Sequence, residues 1–437
     1  MLRTLQNIFT KRYHRFWLGL CAGLVLLAYI ALIPLAAAKG DDFVHLWIGG
    51  HLAAKGQIAQ LYEPAAHKDL LAQHNLLTAE YWGERYEILG VFFYPPTAAL
   101  LYAPLGLLPL YWAQATQAVV NILLGICAAW LLTRIIQGRL RFATVLLLLF
   151  TYPSFLYTYA LGQNGILTTT LVLGSWSILQ TGRQWWGGAL LSLLVFKPNW
   201  LLAFGWIPLV QRRWQMVIGI GSGLLLLLLV TIATVGIAPL QTYIETLLNL
   251  MNLHYLPDYP LAIQYSILSL SRRYLGMGTA ADLVGWGVIF AIIIMTIWAL
   301  YRNQTRTDLP SAAGQSRFVR SAALTWVAAV CLNPHLHHYD LTMVSVAMIM
   351  ALSEWAVLSR WQRYWVGSLL LLNHFAFVIT DGLALNETLP LPIFTMLALW
   401  GWLWLRTIHV EQSPTLTPVF RKAMPEFVKG YSGHWVR

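Results

Sequence analysis

Apolar residues in this chain come in long blocks separated by short polar turns, with none of the two-residue alternation that marks half-buried strands. The blocks centre on 16–38, 119–132, 142–157, 166–179, 185–196, 200–210, 217–235, 283–300, 322–332, 341–358, 365–379 and 391–405. A helix crossing the hydrocarbon core needs about 20 apolar residues. The pattern therefore predicts an all-α polytopic membrane protein with about 12 transmembrane helices, plus juxtamembrane helices at its outer face. The two runs flanking Lys197 fall well short of a full crossing.

One further apolar segment breaks the alternation. FFYPPTAALLYAPLGLLPL, residues 92–110, is interrupted by Pro95, Pro96, Pro104 and Pro109. Counted as a crossing it turns Arg134, Arg139 and Arg141 to the outside, against the rule that Lys and Arg concentrate in cytoplasmic loops. It reads instead as a re-entrant or interfacial hairpin on the outer face.

Composition narrows the class. Of 437 residues 58% are apolar and 10% charged, where a soluble domain carries about 25% charged, so a large soluble domain is excluded. The net charge of +11 suggests nucleic acid until the charges are placed. Threading the runs from a cytoplasmic N-terminus puts most Lys and Arg inside, including the basic tail 408–437, and most Asp and Glu outside. No nucleic-acid partner is expected, and membrane lipids are. The basic start followed by 16–38 resembles a signal peptide, but the run is long enough to span and reads as an uncleaved anchor. Cys21, Cys127 and Cys331 all sit in apolar runs, with no disulfide framework or metal spacing.

The expected organisation is one integral membrane catalytic domain, 1–407, with an outer catalytic loop at 39–110 and a second outer loop at 238–280. The polar stretch 302–320 and the tail 408–437 read as cytoplasmic segments without a folded domain.

Five stretches could carry chemistry. Just beyond the first run, Asp41 and Asp42 meet the outer surface, where a partly desolvated carboxylate suits proton abstraction from a sugar hydroxyl. On a following helix Asp42 and His45 share a face; an aspartate capping a juxtamembrane helix is the alternative. GQNG, 162–165, is a tight turn whose Gln163 and Asn164 can hydrogen-bond a sugar or phosphate, or simply join two helices. In FKPNW a cation, Lys197, interrupts an apolar stretch, which suggests an anion site or a side chain snorkelling to the interface. LNPHLHHYDLTM sets His335, His337, His338 and Asp340 at an outer boundary; its spacing is not that of a catalytic zinc site, leaving phosphate or sugar contact and interfacial packing. The loop 238–280 holds His254, Tyr255, Asp258, Tyr259, Tyr265, Arg272 and Arg273, whose paired outer arginines suggest an anionic partner while its tyrosines also suit interfacial anchoring. Gly219 and Gly223 have the spacing of a helix-packing motif.

The order of these motifs, DDFVHLWIGGHLAAKGQIAQLYEP, FFYPPTAALLYAPLGLLP, GQNG, FKPN, QYSILSLSRR and NPHLHHYDL, resembles glycosyltransferase family 87 over residues 39–341. That resemblance implies a C-type glycosyltransferase fold and an inverting enzyme. It implies transfer of one sugar, mannose in the mannosyltransferases of phosphatidylinositol mannoside synthesis, from a polyprenyl-phosphate donor to a lipid or glycan acceptor at the outer face of the cytoplasmic membrane. The family's catalytic aspartate falls on Asp42, with Asp41 beside it. The family's histidine element matches Asn333, Pro334, His337 and His338, and the serine of another element matches Ser266, preceded here by Gln264 and Tyr265 in a departure from the pattern. Lys197, Arg273 and His338 are then expected to neutralise the donor phosphate, with His45, Gln163, Asn164, Ser266 and His337 completing the donor site, and no metal or other cofactor is expected. Two other classes remain at this stage: a lipid or sugar transporter or flippase, and a non-catalytic protein of envelope-polysaccharide assembly.

Overall fold

A computed structural model describes residues 2–39, 41–73, 92–253, 261–304, 312–386 and 388–409. The chain opens with α1 (Leu2–Ala31) and α2 (Ile33–Lys39), then α3 (Asp41–Ala54) and α4 (Pro64–Gln73). Next come α5 (Pro96–Gly106), α6 (Leu110–Ile135), α7 (Phe142–Phe150), α8 (Pro153–Ala160), α9 (Gly165–Gln180) and α10 (Gln184–Ser192). The second half holds α11 (Pro198–Val210), α12 (Trp214–Val235), α13 (Ala238–Leu253), α14 (Ile267–Leu275), α15 (Thr279–Gln304), α16 (Ala312–Leu332), α17 (Thr342–Ser353), α18 (Arg360–Gly382) and α19 (Leu391–Ile408). Among the described residues there is no strand, only an isolated antiparallel bridge between Gln264 and His337.

Each apolar run falls largely within helix, and the helices differ in length. Among the described residues six stretches are long and apolar enough to cross a membrane: Arg15–Ala38, α6, α12, Thr279–Arg302, α18 and α19. The pair α7–α8, bent by 67° where Pro153 opens the second helix, makes a seventh if it is one broken span. Four apolar helices among the described residues are shorter: α9, Gln184–Phe196, α11 and α17. The last run is the second half of α16.

The short helices share a feature that positions the site. α9, α11 and α17 contain 16, 13 and 12 residues, about 18–24 Å of helix against about 30 Å of hydrocarbon core. Asn164 precedes α9, Lys197 separates Gln184–Phe196 from α11, and Asp340 lies just before α17. At the far end of α17, Glu354 is gripped by the guanidinium groups of Arg139 and Arg320, the latter at 3.0 Å. Arg139 also donates to Ser316 Oγ at 2.8 Å, and Arg320 to the Arg406 carbonyl at 2.8 Å. The polar groups thus gather at two opposite ends of the bundle, joined by short, mostly buried helices.

One sequence expectation changes, and the Pro-rich segment 92–110 gains a partner. In that segment α5 packs along α3, and the two backbones touch where a Cβ at Gly106 would lie 2.2 Å from the carbonyl carbon of Gly50. Trp47 Nε1 donates to the Leu108 carbonyl at 3.0 Å and locks the pairing. The expected loop at 302–320 is helical from Ala312 onward, and within that helix Arg320 binds Glu354 and the Arg406 carbonyl. Residues 305–311 and 410–437, the latter holding nearly all of the basic tail, lie outside the described residues. The glycine motif behaves as expected: a Cβ at Gly219 of α12 would sit 2.1 Å from the Trp185 carbonyl oxygen on α10.

Candidate active site

α3 begins at the acidic pair. Gly40 and the Asp41 side chain lie outside the described residues, and Asp42 is half-buried. Its carboxylate Oδ2 accepts a hydrogen bond of 2.9 Å from Gln163 Nε2, a residue 121 positions away in the turn between α8 and α9. Two features hold that turn against α3. Phe43 N–H donates to the Leu161 carbonyl at 3.1 Å, and Gly162 adopts φ +68 where a Cβ would approach the Phe43 Cβ to 2.6 Å. A side chain at position 162 would be both strained and obstructed.

Tyr94, from the segment before α5, donates to Gln163 Oε1 at 3.4 Å. Burial raises its phenol pKa, with the fields of Tyr102, Asp42 and Asp340 adding in the same direction. Tyr94 therefore stands as a neutral hydrogen-bonding group that feels the fields of both Asp42 and Asp340. Beside it, Asn164 is fully buried, and neither amide atom has a hydrogen-bond partner among the described residues.

The second half of the site is built on Lys197. Its ammonium donates to Asp340 Oδ1 at 2.7 Å and lies 5.2 Å from the centre of the Tyr339 ring. Asp340 is 1% exposed and also accepts from Trp200 Nε1 at 3.4 Å and from the His337 N–H at 3.3 Å. A lysine recessed in an apolar bundle needs a counter-charge, and Asp340 supplies it. The two halves meet through Thr158, whose hydroxyl lies 2.8 Å from the Tyr339 carbonyl and whose own carbonyl accepts from Gln163 N–H at 3.0 Å.

The remaining expected residues divide. The bridge between Gln264 and His337, with Tyr265 N–H donating to the Leu336 carbonyl at 2.6 Å, brings the QYS segment onto the histidine loop. Ser266 caps α14 by accepting from Ser269 N–H at 3.0 Å. The guanidinium of Arg273 donates to the carbonyls of Leu261, Gln264 and Asn386, so it braces this loop from within. His45 lies one turn into α3, near His67. His254, Tyr255, Asp258 and Tyr259 lie outside the described residues. His338 stacks on Phe377 with ring centres 5.4 Å apart, and its Nε2 has no hydrogen-bond partner among the described residues. Among the described residues no group of three or more His, Cys, Asp or Glu is arranged to hold a metal ion.

Burial changes how the histidines can act. It lowers the pKa of His337 and His338 to about 4 against the opposing pull of Asp340, and those of His335 and His45 to about 4 as well. They are neutral donors and acceptors near pH 7, so an activity limb at pH 6–7 from a protonated His338, the behaviour of an unperturbed imidazole, is not expected. In the unfolded chain these rings take up protons below about pH 6.5, whereas the folded rings resist until about pH 4. Between those values the unfolded state binds more protons, so stability is complete above the window and falls as pH drops through it. Thermal unfolding followed by tryptophan fluorescence in detergent should show a lower midpoint at about pH 4.5 than at about pH 7.5, and His337→Asn/His338→Asn should narrow the gap. An unchanged gap in that variant would remove these two rings from the account.

Asp42, Gln163, Lys197 and the histidine loop thus meet at one end of the bundle, contributed by segments from both halves of the chain. The family model of glycosyltransferase family 87 matches residues 92–316, just over half of the sequence. The chain belongs to glycosyltransferase family 87. It is an all-α, multi-pass membrane protein. Two curated proteins named alpha-(1->3)-arabinofuranosyltransferase, from two strains of Mycobacterium tuberculosis, are 27% identical to it over 232 residues, 50% of this chain and 50% of theirs. The chain spans about half the length of the curated relatives it matches. No solved structure matches it. The family match takes in Tyr94, Gln163, Asn164, Lys197, Ser266 and Arg273, whereas Asp42, His337, His338 and Asp340 lie outside it.

Tyr94 was not among the site residues expected from the sequence, and Asp340, named there beside the histidines, was not expected as the partner of Lys197. The signal for Asp340 was present: a lysine at membrane depth calls for an acid, and YDL follows the histidines at the same boundary. Tyr94 had no such signal, since a tyrosine beside a double proline at an apolar boundary is ordinary interfacial sequence.

Proposed function

We propose that this protein transfers one sugar, with inversion, from a polyprenyl-phosphate-linked donor to a hydroxyl of a lipid or glycan acceptor at the outer face of the cytoplasmic membrane. What carries the reading is the Asp42 carboxylate at the start of α3, aimed by Gln163 from a separate turn, within the electrostatic reach of a neutral tyrosine that also senses Asp340. In the reaction Asp42 takes the proton of the acceptor hydroxyl as that oxygen attacks the anomeric carbon. The new C–O bond forms as the bond to the donor phosphate breaks, and the electron pair leaves with the phosphate oxygen. Lys197 is the cation at hand for the leaving phosphate, its charge moderated by Asp340. Neutral His338, with Nε2 available, and buried Asn164 are hydrogen-bonding groups for the donor.

The family resemblance implies mannose, and the name of the curated relatives carries an arabinofuranosyl group. The deciding assay incubates the purified protein in lipid with radiolabelled polyprenyl-phosphate-mannose and polyprenyl-phosphate-arabinofuranose in parallel, each with a panel of acceptor extracts. Label passing to an acceptor with inverted anomeric configuration is the expected result. Movement of intact donor across the bilayer without transfer would support the flippase class instead.

Orientation has its own test, on a background with the three cysteines replaced. Met277→Cys, in an exposed turn at the active-site end, should react with an impermeant maleimide from outside intact cells. Arg360→Cys, at the opposite end, should stay unlabelled. The reverse pattern would place the site in the cytoplasm and end the outer-face proposal.

A further inference from the structure

At the end of α9 opposite the candidate site lies a cavity of about 460 Å³, walled by Trp130 and Arg134 of α6, Ser177 of α9, Thr181 and Arg183 of the following turn, and Trp186 of α10. We propose that it binds the phosphate-bearing headgroup of an anionic phospholipid.

Charge is the first argument. Two guanidinium groups line the cavity and no acidic side chain does. Arg134 is held in place by the Trp130 ring, 4.9 Å beneath its guanidinium carbon, a contact that fixes the cation without using up its hydrogen-bond donors. The arginines at the nearby Glu354 are paired with that carboxylate. Arg134 and Arg183, by contrast, have no carboxylate within ion-pair distance among the described residues. Planar guanidinium groups match phosphate oxygens two at a time, and Ser177 adds a hydroxyl beside them.

The walls decide between a lipid and a soluble phosphate. Leu131, Gly174 and Ile178 make the inner surface apolar, and Trp130 and Trp186 stand 49% and 62% exposed at its rim. Tryptophan at the end of a membrane helix sits at headgroup level. A headgroup seated on the arginines would leave its acyl chains along the exposed apolar flank of α6, where Leu123 is 60% exposed. A free phosphate ion gains nothing from that flank.

The cavity is also separate from the donor site. α9, 16 residues long, spans about 24 Å from Gly165, next to Gln163, to Gln180, next to the cavity. One lipid would therefore clamp α6, α9 and α10 together at the end away from the chemistry.

Native mass spectrometry of the purified full chain, exchanged into mixed micelles with phosphatidylglycerol or phosphatidylcholine, tests this. The wild type should retain a phosphatidylglycerol adduct in preference to phosphatidylcholine, and Arg134→Gln/Arg183→Gln should weaken that retention by about thirtyfold. Arg141→Gln, which removes one cation at the same end of the bundle outside the cavity, should leave it unchanged. Arg134→Lys/Arg183→Lys keeps the charge and should retain the adduct, guarding against a folding artefact in the glutamine variant. Equal retention of both lipids by the wild type, or equal loss in Arg141→Gln, would overturn the proposal. Displacement of the adduct by millimolar inorganic phosphate alone would assign the cavity to a soluble anion instead.

Discussion

Asp42→Asn is expected to lower sugar transfer by about 10²–10⁴-fold while leaving expression and thermal unfolding close to wild type. The argument is local. An asparagine keeps the shape of the side chain and retains an oxygen to accept the Gln163 N–H that reaches Asp42 at 2.9 Å, so the α3 terminus and its contact with Gly162 stay in place. What is lost is the group proposed to take the acceptor proton. Asp41→Asn is the comparison, because the two residues are neighbours in sequence at the start of the same helix. If Asp42→Asn keeps more than about a tenth of the rate and Asp41→Asn does not, the base is Asp41. If both keep it, neither carboxylate is the base and the proposed mechanism fails. Gln163→Leu should fall between, because it removes the aim of the carboxylate and not the carboxylate itself.

The second large effect concerns Lys197 and Asp340. Removing one member of a buried pair leaves the other charge uncompensated, typically at about 3–5 kcal/mol. Asp340, 1% exposed and also bound by Trp200 and the His337 N–H, has no access to water that would soften the loss. Lys197→Met and Asp340→Asn should therefore each lower the thermal midpoint strongly. The double variant Lys197→Met/Asp340→Asn removes both charges and should recover part of that stability, since neutral replacement of a buried pair is often tolerated. Transfer should not recover with it, because the cation proposed to meet the donor phosphate is gone. Wild-type transfer by the double variant would reduce the pair to a structural fastening, and additive losses in stability would show that the two side chains do not act on each other.

Much of the architecture was legible in the sequence because burial in a bilayer is a one-dimensional constraint. Each apolar run falls largely within helix. The length of 200–210 already marked it as short, and α11 is short. Local chemistry was legible too: the acidic start of α3, the Gly162–Gly165 turn and the lysine before Pro198 all appear where the spacing placed them. The start of α16 was misread because a charge count along the chain treats Arg317 and Arg320 as solvated, while the folded protein offers Arg320 a buried glutamate.

What the sequence could not supply was pairing between distant segments. Gln163 meets Asp42 across 121 positions and Lys197 meets Asp340 across 143, and no local period encodes either contact. Arg273 reads as an outer cation in want of an anion until the fold surrounds it with three carbonyls. The histidines read as groups that titrate near neutrality until packing lowers them to about 4. In each case the residue type was set by the sequence, but its charge state and partner depend on desolvation and on which helices stop short at the same end. Those are properties of the assembled bundle, in which the hydrophobic effect fixes the helices and a few buried polar contacts fix their register.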